Sequence, residues 1–318
     1  MSVLTFVNIG DEGNAVDSTG FGDVTYAYDI SKFEITEGQI SAYNADTINS
    51  TRQISTNNRG TDKPATLMSW NKCARYVNWL NIKEGLQPAY YFTTSGVNDG
   101  ITLWSSSEAW QLGGENLYRH KDAKYFLPSE DEWYKAAYYK SGGINAGYWL
   151  YPTVSNTAPT AVASGTTAGT AVYNGQTAPA DVDQAGGLSP YGVMGQGGNV
   201  AEWVEAAWDG TNDSVLEDRS RLNAAWLNDE TYLRSSFRAA RDPATHETNF
   251  TGFRVMLYVS RSVLNFSDNI RSGTSQVSRV YSSDTIVWPT ALWTCATGFA
   301  PAGATISGSS LSLSAAST

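Results

Sequence analysis

Residues 197–203, Gly-Gly-Asn-Val-Ala-Glu-Trp, form the stretch of this sequence best suited to metal chemistry. Two glycines permit a tight turn, and Asn199 can hydrogen-bond to the nearby backbone. The carboxylate of Glu202 stands between apolar neighbours and needs a partner, because burying an unpaired charge is costly. Carbonyls of the turn and this carboxylate together suit a hard cation such as calcium. Pairing of Glu202 with an arginine of the core is the alternative.

Several arginines later in the chain could supply that pairing. We prefer a buried ion-pair network for them over substrate binding, because paired charges tolerate burial. The arginines are Arg234, Arg238, Arg241 and Arg254, and their candidate partners are Glu202, Glu205 and Glu132.

Composition argues against several classes of protein. The net charge of −10 over 318 residues argues against a nucleic-acid partner. Two cysteines are too few for a disulfide framework or a cysteine-based metal cluster. An iron site of the facial-triad type would need both His120 and His246, which stand in unrelated contexts. The sequence contains no run of about 18 apolar residues, so we predict no transmembrane helix. The 29 glycines, 11 tryptophans and 18 tyrosines indicate a loop-rich, aromatic fold.

Three helices are expected to support the turn. Thr36 offers an N-cap for a short first helix, and the second covers residues 70–84, where apolar side chains recur at helical spacing. Cys73 lies on that apolar stripe, which predicts a buried structural thiol. In the third helix Ser129 and Glu132 form a capping box, so we expect this carboxylate to cap the helix and not to act as an acid or base.

Strands are predicted at residues 4–9, 24–34 and 252–257. Between the third helix and the turn, residues 141–196 are rich in glycine, threonine, alanine and proline and show no long periodic pattern. Such a stretch inside a compact protein is either a set of ordered functional loops or a disordered segment.

The composition changes at residue 259. Residues 259–318 are rich in serine, threonine and alanine and carry few charges, and the alternation at 310–314 predicts a half-buried strand. We therefore expect a small β appendage, whose exposed strand edges could pair with another chain.

Four stretches in this order resemble the formylglycine-generating enzyme, or sulfatase-modifying factor (FGE-sulfatase), domain. They are residues 68–70 (Met-Ser-Trp), 127–133 (Leu-Pro-Ser-Glu-Asp-Glu-Trp), 198–203 (Gly-Asn-Val-Ala-Glu-Trp) and 252–255 (Gly-Phe-Arg-Val). The resemblance covers roughly residues 3–258. It implies an α+β fold, an irregular C-type-lectin-like domain with many ordered loops. We therefore divide the chain into an FGE-sulfatase-like domain at 1–258 and the appendage at 259–318.

The enzymes that this sequence resembles use two cysteines to bind copper and to oxidise a substrate cysteine with oxygen. The matching segment here, residues 221–241, contains no cysteine, and the two thiol positions fall near Asn228 and Leu233. The family's Gly-Gly-Ser sequence is replaced by Asn-Ala-Ala at residues 223–225. Without thiolates a soft-ligand copper site cannot form, so we expect neither copper nor the family's oxidation chemistry.

The resemblance also implies calcium. One family site takes two backbone carbonyls and a carboxylate, which match Gly198, Val200 and Glu202, although Gly195 stands where a side-chain ligand is common. A second site usually has an asparagine, which Val172 replaces here, and an aspartate, which Asp183 matches. We expect one calcium site among these residues.

A non-catalytic binding or structural role is the function we expect. The lectin-like fold presents loops on one face, and aromatic and amide side chains there would suit a saccharide or a protein partner. The residues expected on that face are Asn223, Trp226, Asn228, Tyr232 and His246. For Trp226 and Tyr232 the alternative is that they fill the core.

The opening of the sequence bears on location. Relatives with a similar opening look like exported bacterial proteins, whereas this sequence starts at Met1 without a signal peptide. We therefore expect a phage virion component, for decoration, fibre formation or receptor binding, located in the virion or at the extracellular surface. Its partners would be other virion or surface-assembly proteins and a cell-surface glycan or protein receptor, with oligomer formation through residues 259–318.

Two other roles are alternatives. An enzyme with altered chemistry in the old cleft would use Glu205, His246 and Arg241, although no arrangement of nucleophile, base and orienting group stands out. A purely structural subunit would use the fold as a shell and make its contacts through the appendage.

Overall fold

The structure, a computed structural model, describes residues 4–238, 241–258, 304–307 and 310–313. The chain divides into two compact units, Met1–Ser260 and Arg261–Thr318. In its described part the first unit combines three α-helices with two four-stranded sheets and several short strand pairs. The predicted α+β class is therefore confirmed.

The helices begin where local sequence signals predict. The hydroxyl of Thr36 accepts a hydrogen bond from the backbone amide of Gln39. The side-chain oxygen of Gln39 accepts one from the backbone amide of Thr36 in return. Ser129 and Glu132 form the same reciprocal pair, so the predicted capping box is confirmed. The helices are α1 Glu37–Ala45, α2 Trp70–Lys83 and α3 Glu130–Tyr138, with single 3₁₀ turns at Thr47–Asn49, Gly143–Asn145, Val182–Gln184 and Glu230–Leu233.

The strands are short, and eight of them form the two four-stranded sheets. Their bounds are β1 Phe6–Ile9, β2 Tyr28–Ser31, β3 Tyr91–Phe92, β4 Ile101–Thr102, β5 Ala109–Trp110, β6 Asn116–His120, β7 Tyr125–Phe126, β8 Tyr139–Lys140, β9 Gly147–Tyr148, β10 Thr160–Ala161, β11 Thr170–Ala171, β12 Ala201–Ala207, β13 Asp218–Leu222, β14 Arg241–Pro243, β15 Thr251–Phe253, β16 Met256–Leu257, β17 Ala304–Ser307 and β18 Ser310–Leu313. The first sheet has the order β1-β2-β16-β7 and is antiparallel. The second has the order β14-β13-β12-β15, with β12 and β15 parallel.

The strand predicted at residues 252–257 is divided between the two sheets. β15 belongs to the second sheet and β16 to the first, and the buried residues Arg254 and Val255 connect them. Because β15 lies beside β12, this connection brings Arg254 next to Glu202 on β12.

Residues 141–196 form defined loops, which decides between the two alternatives for this stretch. Only short pairings occur there, such as β8 with β9 and β10 with β11. The loops are fixed by packing, since Tyr151, Ala171 and Tyr173 are buried in one hydrophobic cluster with Leu233.

In the second unit β17 and β18 pair antiparallel, with Ala304 opposite Leu313, so the strand predicted near residue 310 is confirmed. The rest of the predicted appendage, including Cys295, lies outside the described residues. Among the helices that the structure describes, none has both the length and the apolar character needed to cross a membrane.

Candidate functional site

The carboxylate of Glu202 is fully buried and pairs with Arg254. Nε and Nη2 of Arg254 donate to different carboxylate oxygens, each at 2.7 Å, and the indole N–H of Trp133 donates to Oε2 at 2.7 Å. A bidentate, charge-assisted pair of this kind is strong as well as geometrically specific. Of the two alternatives for Glu202, the structure therefore shows the core arginine.

A second buried network joins Glu132 and Glu205 through Arg119. Nε of Arg119 donates to both oxygens of Glu205 at 2.9 and 3.0 Å. Nη1 and Nη2 donate to Glu132 at 3.1 and 3.2 Å. Of the predicted pairings the structure shows Arg254 with Glu202, whereas Glu132 and Glu205 both pair with Arg119, which was not among the four candidates. Arg238, for example, pairs with Glu130.

Asn223 fills the turn where a cation was predicted. Its Nδ2 donates to the carbonyl oxygens of Gly195 and Gly198 at 2.8 Å and of Val200 at 3.2 Å. Its Oδ1 accepts the Gly198 amide at 2.9 Å. Gly198 itself must be glycine, since it has a φ of 127° and a Cβ there would lie 2.3 Å from the carbonyl oxygen of Val172. The amide nitrogen thus takes the central position among three carbonyls.

The residues present do not fit a calcium ion in this arrangement. Both oxygens of Glu202 bind Arg254, and Asp183 is an exposed residue of a 3₁₀ turn. Calcium takes about six to eight oxygen ligands, and the carbonyls of Gly198 and Val200 already face an amide nitrogen. Within the described ranges, no cluster of three or more His, Cys, Asp or Glu side chains could hold a metal ion.

Glu34 is a buried carboxylate that sequence analysis missed. Its Oε1 accepts Nδ2 of Asn199 at 3.0 Å, whereas Oε2 has no hydrogen-bond partner among the described residues. Burial raises the pKa of Glu34 to about 7, against the lowering effect of Arg254. A Cβ on Gly195 would lie 2.4 Å from Oε1, so the carboxylate occupies the space where a side-chain ligand was expected.

The structure separates the five residues predicted to form a ligand-binding face. Asn223 and Trp226 are buried, with Trp226 only 5% exposed, so their prediction as ligand contacts on an open surface is corrected. The ring of Trp226 packs in the core and lies 4.9 Å from the guanidinium carbon of Arg59. Oδ1 of Asn228 accepts the amide of Ala225 at 2.8 Å and thereby closes its own loop.

Tyr232 and His246 are exposed but belong to different elements. Tyr232 is 37% exposed, and its ring centroid lies 4.5 Å from that of Phe237. Leu227, which is 44% exposed, belongs to the same segment of chain. His246 follows β14, and its Nδ1 lies 2.7 Å from a carboxylate oxygen of Asp242. The exposed apolar residues of this region therefore lie within residues 227–237.

The two positions matched to thiols carry no redox group. Leu233 is fully buried in the cluster that also contains Tyr151 and Tyr173, and Asn228 is a loop-closing amide. The one described cysteine, Cys73, is fully buried on α2, and burial raises the pKa of its thiol. The prediction of a buried structural thiol is confirmed.

Comparison with known proteins identifies the same fold. The family described as Sulfatase-modifying factor enzyme 1-like domain (FGE-sulfatase) matches residues 21–259. The structure of Treponema denticola variable protein 1 is similar at a TM-score of 0.54 and 16% identity, covering 80% of this chain and 95% of that chain. The structure of CarF is similar at a TM-score of 0.56 and 19% identity, covering 81% and 99%. No match was found among curated proteins. The resemblance predicted from sequence is confirmed.

Proposed function

Because the chain belongs to the sulfatase-modifying factor enzyme 1-like family but has no cysteine in residues 221–241, where the thiol positions fall near Asn228 and Leu233, we propose that it is a non-catalytic binding protein. The packing of Leu233 is the observation that carries this proposal. A fully buried leucine in an apolar cluster leaves neither a nucleophile nor a copper ligand at that position. Cys73 is no substitute, since its thiol is buried in the core.

The burial and hydrogen bonding of Glu205 favour a binding role for the protein over altered catalysis. Both of its oxygens accept from Nε of Arg119, and the hydroxyl of Tyr90 donates to Oε2 at 2.6 Å. A fully buried carboxylate held in this way is not accessible to a substrate. His246 and Arg241, the other residues of the enzymatic alternative, are exposed surface residues paired with aspartates.

The surface we propose for binding is the segment of residues 227–237. It exposes Leu227 and Tyr232, and the half-buried ring of Phe237 supports the tyrosine. Tyrosine offers a flat apolar ring and a hydroxyl, which suits both a protein and a saccharide partner.

Display on a surface, such as that of a phage virion, is the finer form of the proposal. Its partners would be assembly proteins on one side and a cell-surface glycan or protein receptor on the other. The β17–β18 hairpin supports this role, because the edges of its strands can pair with another chain. Fractionation of the native source into particles, secreted protein and cytoplasm tests the location. Recovery only as a cytoplasmic monomer would contradict it.

Binding is tested with Tyr232→Ala and a matched control. Leu216 is 91% exposed outside the proposed segment, so Leu216→Ala removes an apolar side chain that is more accessible than Tyr232. A glycan array and a whole-cell binding assay should show retention by the wild type and by Leu216→Ala, and loss of at least about tenfold in affinity for Tyr232→Ala. Equal binding by all three proteins would refute the assignment of this surface.

A further inference from the structure

A cleft of about 200 Å³ is lined by residues of α1, α2 and β3 and of the adjoining loops. It shares no residue with the segment of residues 227–237 or with the turn that contains Glu202. Its volume is below the roughly 300 Å³ at which pockets for drug-sized ligands begin, so it suits a single ring with one or two substituents.

Three buried polar atoms at this cleft lack a hydrogen-bond partner among the described residues. They are Nε of Arg52, Nε of Arg75 and the hydroxyl of Tyr43. The side chain of Arg75 is 5% exposed and is held in place, because Nη2 donates to two backbone carbonyls and the guanidinium carbon lies 3.9 Å from the ring centroid of Phe92. Unpaired buried donors are costly, so these groups favour a ligand that accepts hydrogen bonds.

The charge of the cleft favours an anion. Arg75 reaches the carboxylate of Asp99 only at 3.9 Å, and that aspartate side chain is 62% exposed. Burial, and then the nearby charge of Arg52, lower the pKa of Arg75 to about 10. Two guanidinium groups that repel each other are stabilised by a negative charge placed between them. This local excess of positive charge occurs in a chain whose net charge is −10.

Aromatic rings also line the same cleft. Tyr91 is 43% exposed and stacks on Trp104, with ring centroids 4.9 Å apart and an interplanar angle of 23°. Trp79 and Phe92 also line the cleft. A flat apolar surface beside two guanidinium groups matches a ligand that has a flat apolar face and an acidic group.

We propose that this cleft binds a small organic carboxylate with a flat apolar face. The carboxylate accepts charge-assisted hydrogen bonds from Arg52 and Arg75, and the ring packs on Tyr91. An acidic sugar of a glycan and a free aryl acid share this chemistry. The site goes beyond the proposed function, since it is independent of the binding surface around Tyr232.

Titration of the full chain with glucuronate, benzoate and glucose tests the proposal. Calorimetry and tryptophan fluorescence report binding, because Trp79 and Trp104 line the cleft. We expect saturable binding of a carboxylate that weakens with added salt, and none of glucose, which has the sugar ring without the acid. Tighter binding of glucuronate identifies an acidic glycan as the source, and tighter binding of benzoate identifies a free aryl acid. Failure of both carboxylates to bind overturns the proposal.

Two arginine variants make the test specific. Arg52→Gln removes a half-buried guanidinium from the cleft and should weaken binding at least about tenfold. Arg241→Gln makes the same change of charge at an arginine whose side chain is 62% exposed outside the cleft, and should leave affinity unchanged. Equal weakening by the two variants would show a general charge effect and overturn the site. A loss of binding that is seen only in Tyr232→Ala bears on the proposed function of the segment of residues 227–237. It is independent of the carboxylate site in this cleft.

Discussion

Replacing Glu34 by glutamine is expected to stabilise the protein above pH 7. The carboxylate of Glu34 is fully buried with Oε2 unpaired, and burial raises its pKa from 4.5 to about 7. Between these two pH values the folded state binds a proton that the unfolded state has released. Stability therefore falls as pH rises through this window, and the full loss is reached above pH 7.

The magnitude follows from the pKa difference. A rise from 4.5 to about 7 corresponds to about 3 kcal/mol, at roughly 1.4 kcal/mol for each pH unit. Glutamine keeps an acceptor for Nδ2 of Asn199 and has no charge to desolvate. Glu34→Gln should therefore exceed the wild type in the free energy of unfolding by about 3 kcal/mol at pH 8, and by about 1 kcal/mol or less near pH 5.

Urea unfolding at the two pH values, followed by tryptophan fluorescence, measures this difference. Glu115→Gln is the matched control, because it removes the same charge from an exposed position and should not alter the pH dependence. Parallel stability–pH curves for the wild type and Glu34→Gln would refute the reasoning, as would a variant that is less stable at pH 8.

Other expectations concern buried groups. Arg254→Met should cost about 3–5 kcal/mol because it leaves a buried carboxylate without its counter-charge. Arg219→Met should cost less, about 1–2 kcal/mol, because its guanidinium has no hydrogen-bond partner among the described residues and contacts the rings of Trp70 and Tyr118 and, at 4.0 Å, Glu217. Urea unfolding checks both, and similar losses would contradict the argument. Asn223→Ala should cost about 3 kcal/mol through three carbonyls that lose their donor, and neither calcium nor EDTA should shift the wild-type Tm in a thermal scan. A rise in Tm with calcium would instead indicate a bound cation. In a Cys295→Ser background, Cys73 should react with a thiol reagent only as fast as the protein unfolds, and faster labelling would contradict its burial.

Features set by neighbours in sequence were predictable. The caps at Thr36 and Ser129 depend on residues three positions away, and both were found as predicted. The apolar spacing of α2 likewise placed Cys73 in the core. For Glu202 the sequence indicated the need for a partner, and Arg254 was among the candidates.

Features set by distant parts of the chain were not predictable. Arg119 neutralises Glu205 from 86 residues away, and no spacing rule connects them. Trp226 was expected on a surface because aromatic residues serve in binding faces, but the same side chain also fills cores, and only the packed fold distinguishes the two. Asn223 was expected to contact a ligand, whereas its amide satisfies carbonyls of the turn.

Oxygen uptake tests the central claim, that this member of the family binds without catalysing. The purified chain, supplied with Cu(I) and a cysteine-containing peptide, should consume no oxygen above the blank without protein, and mass spectrometry should find the peptide unchanged. An active family enzyme is the positive control. Catalytic oxygen uptake with matching oxidation of the peptide cysteine, retained in Cys73→Ala, would contradict the account.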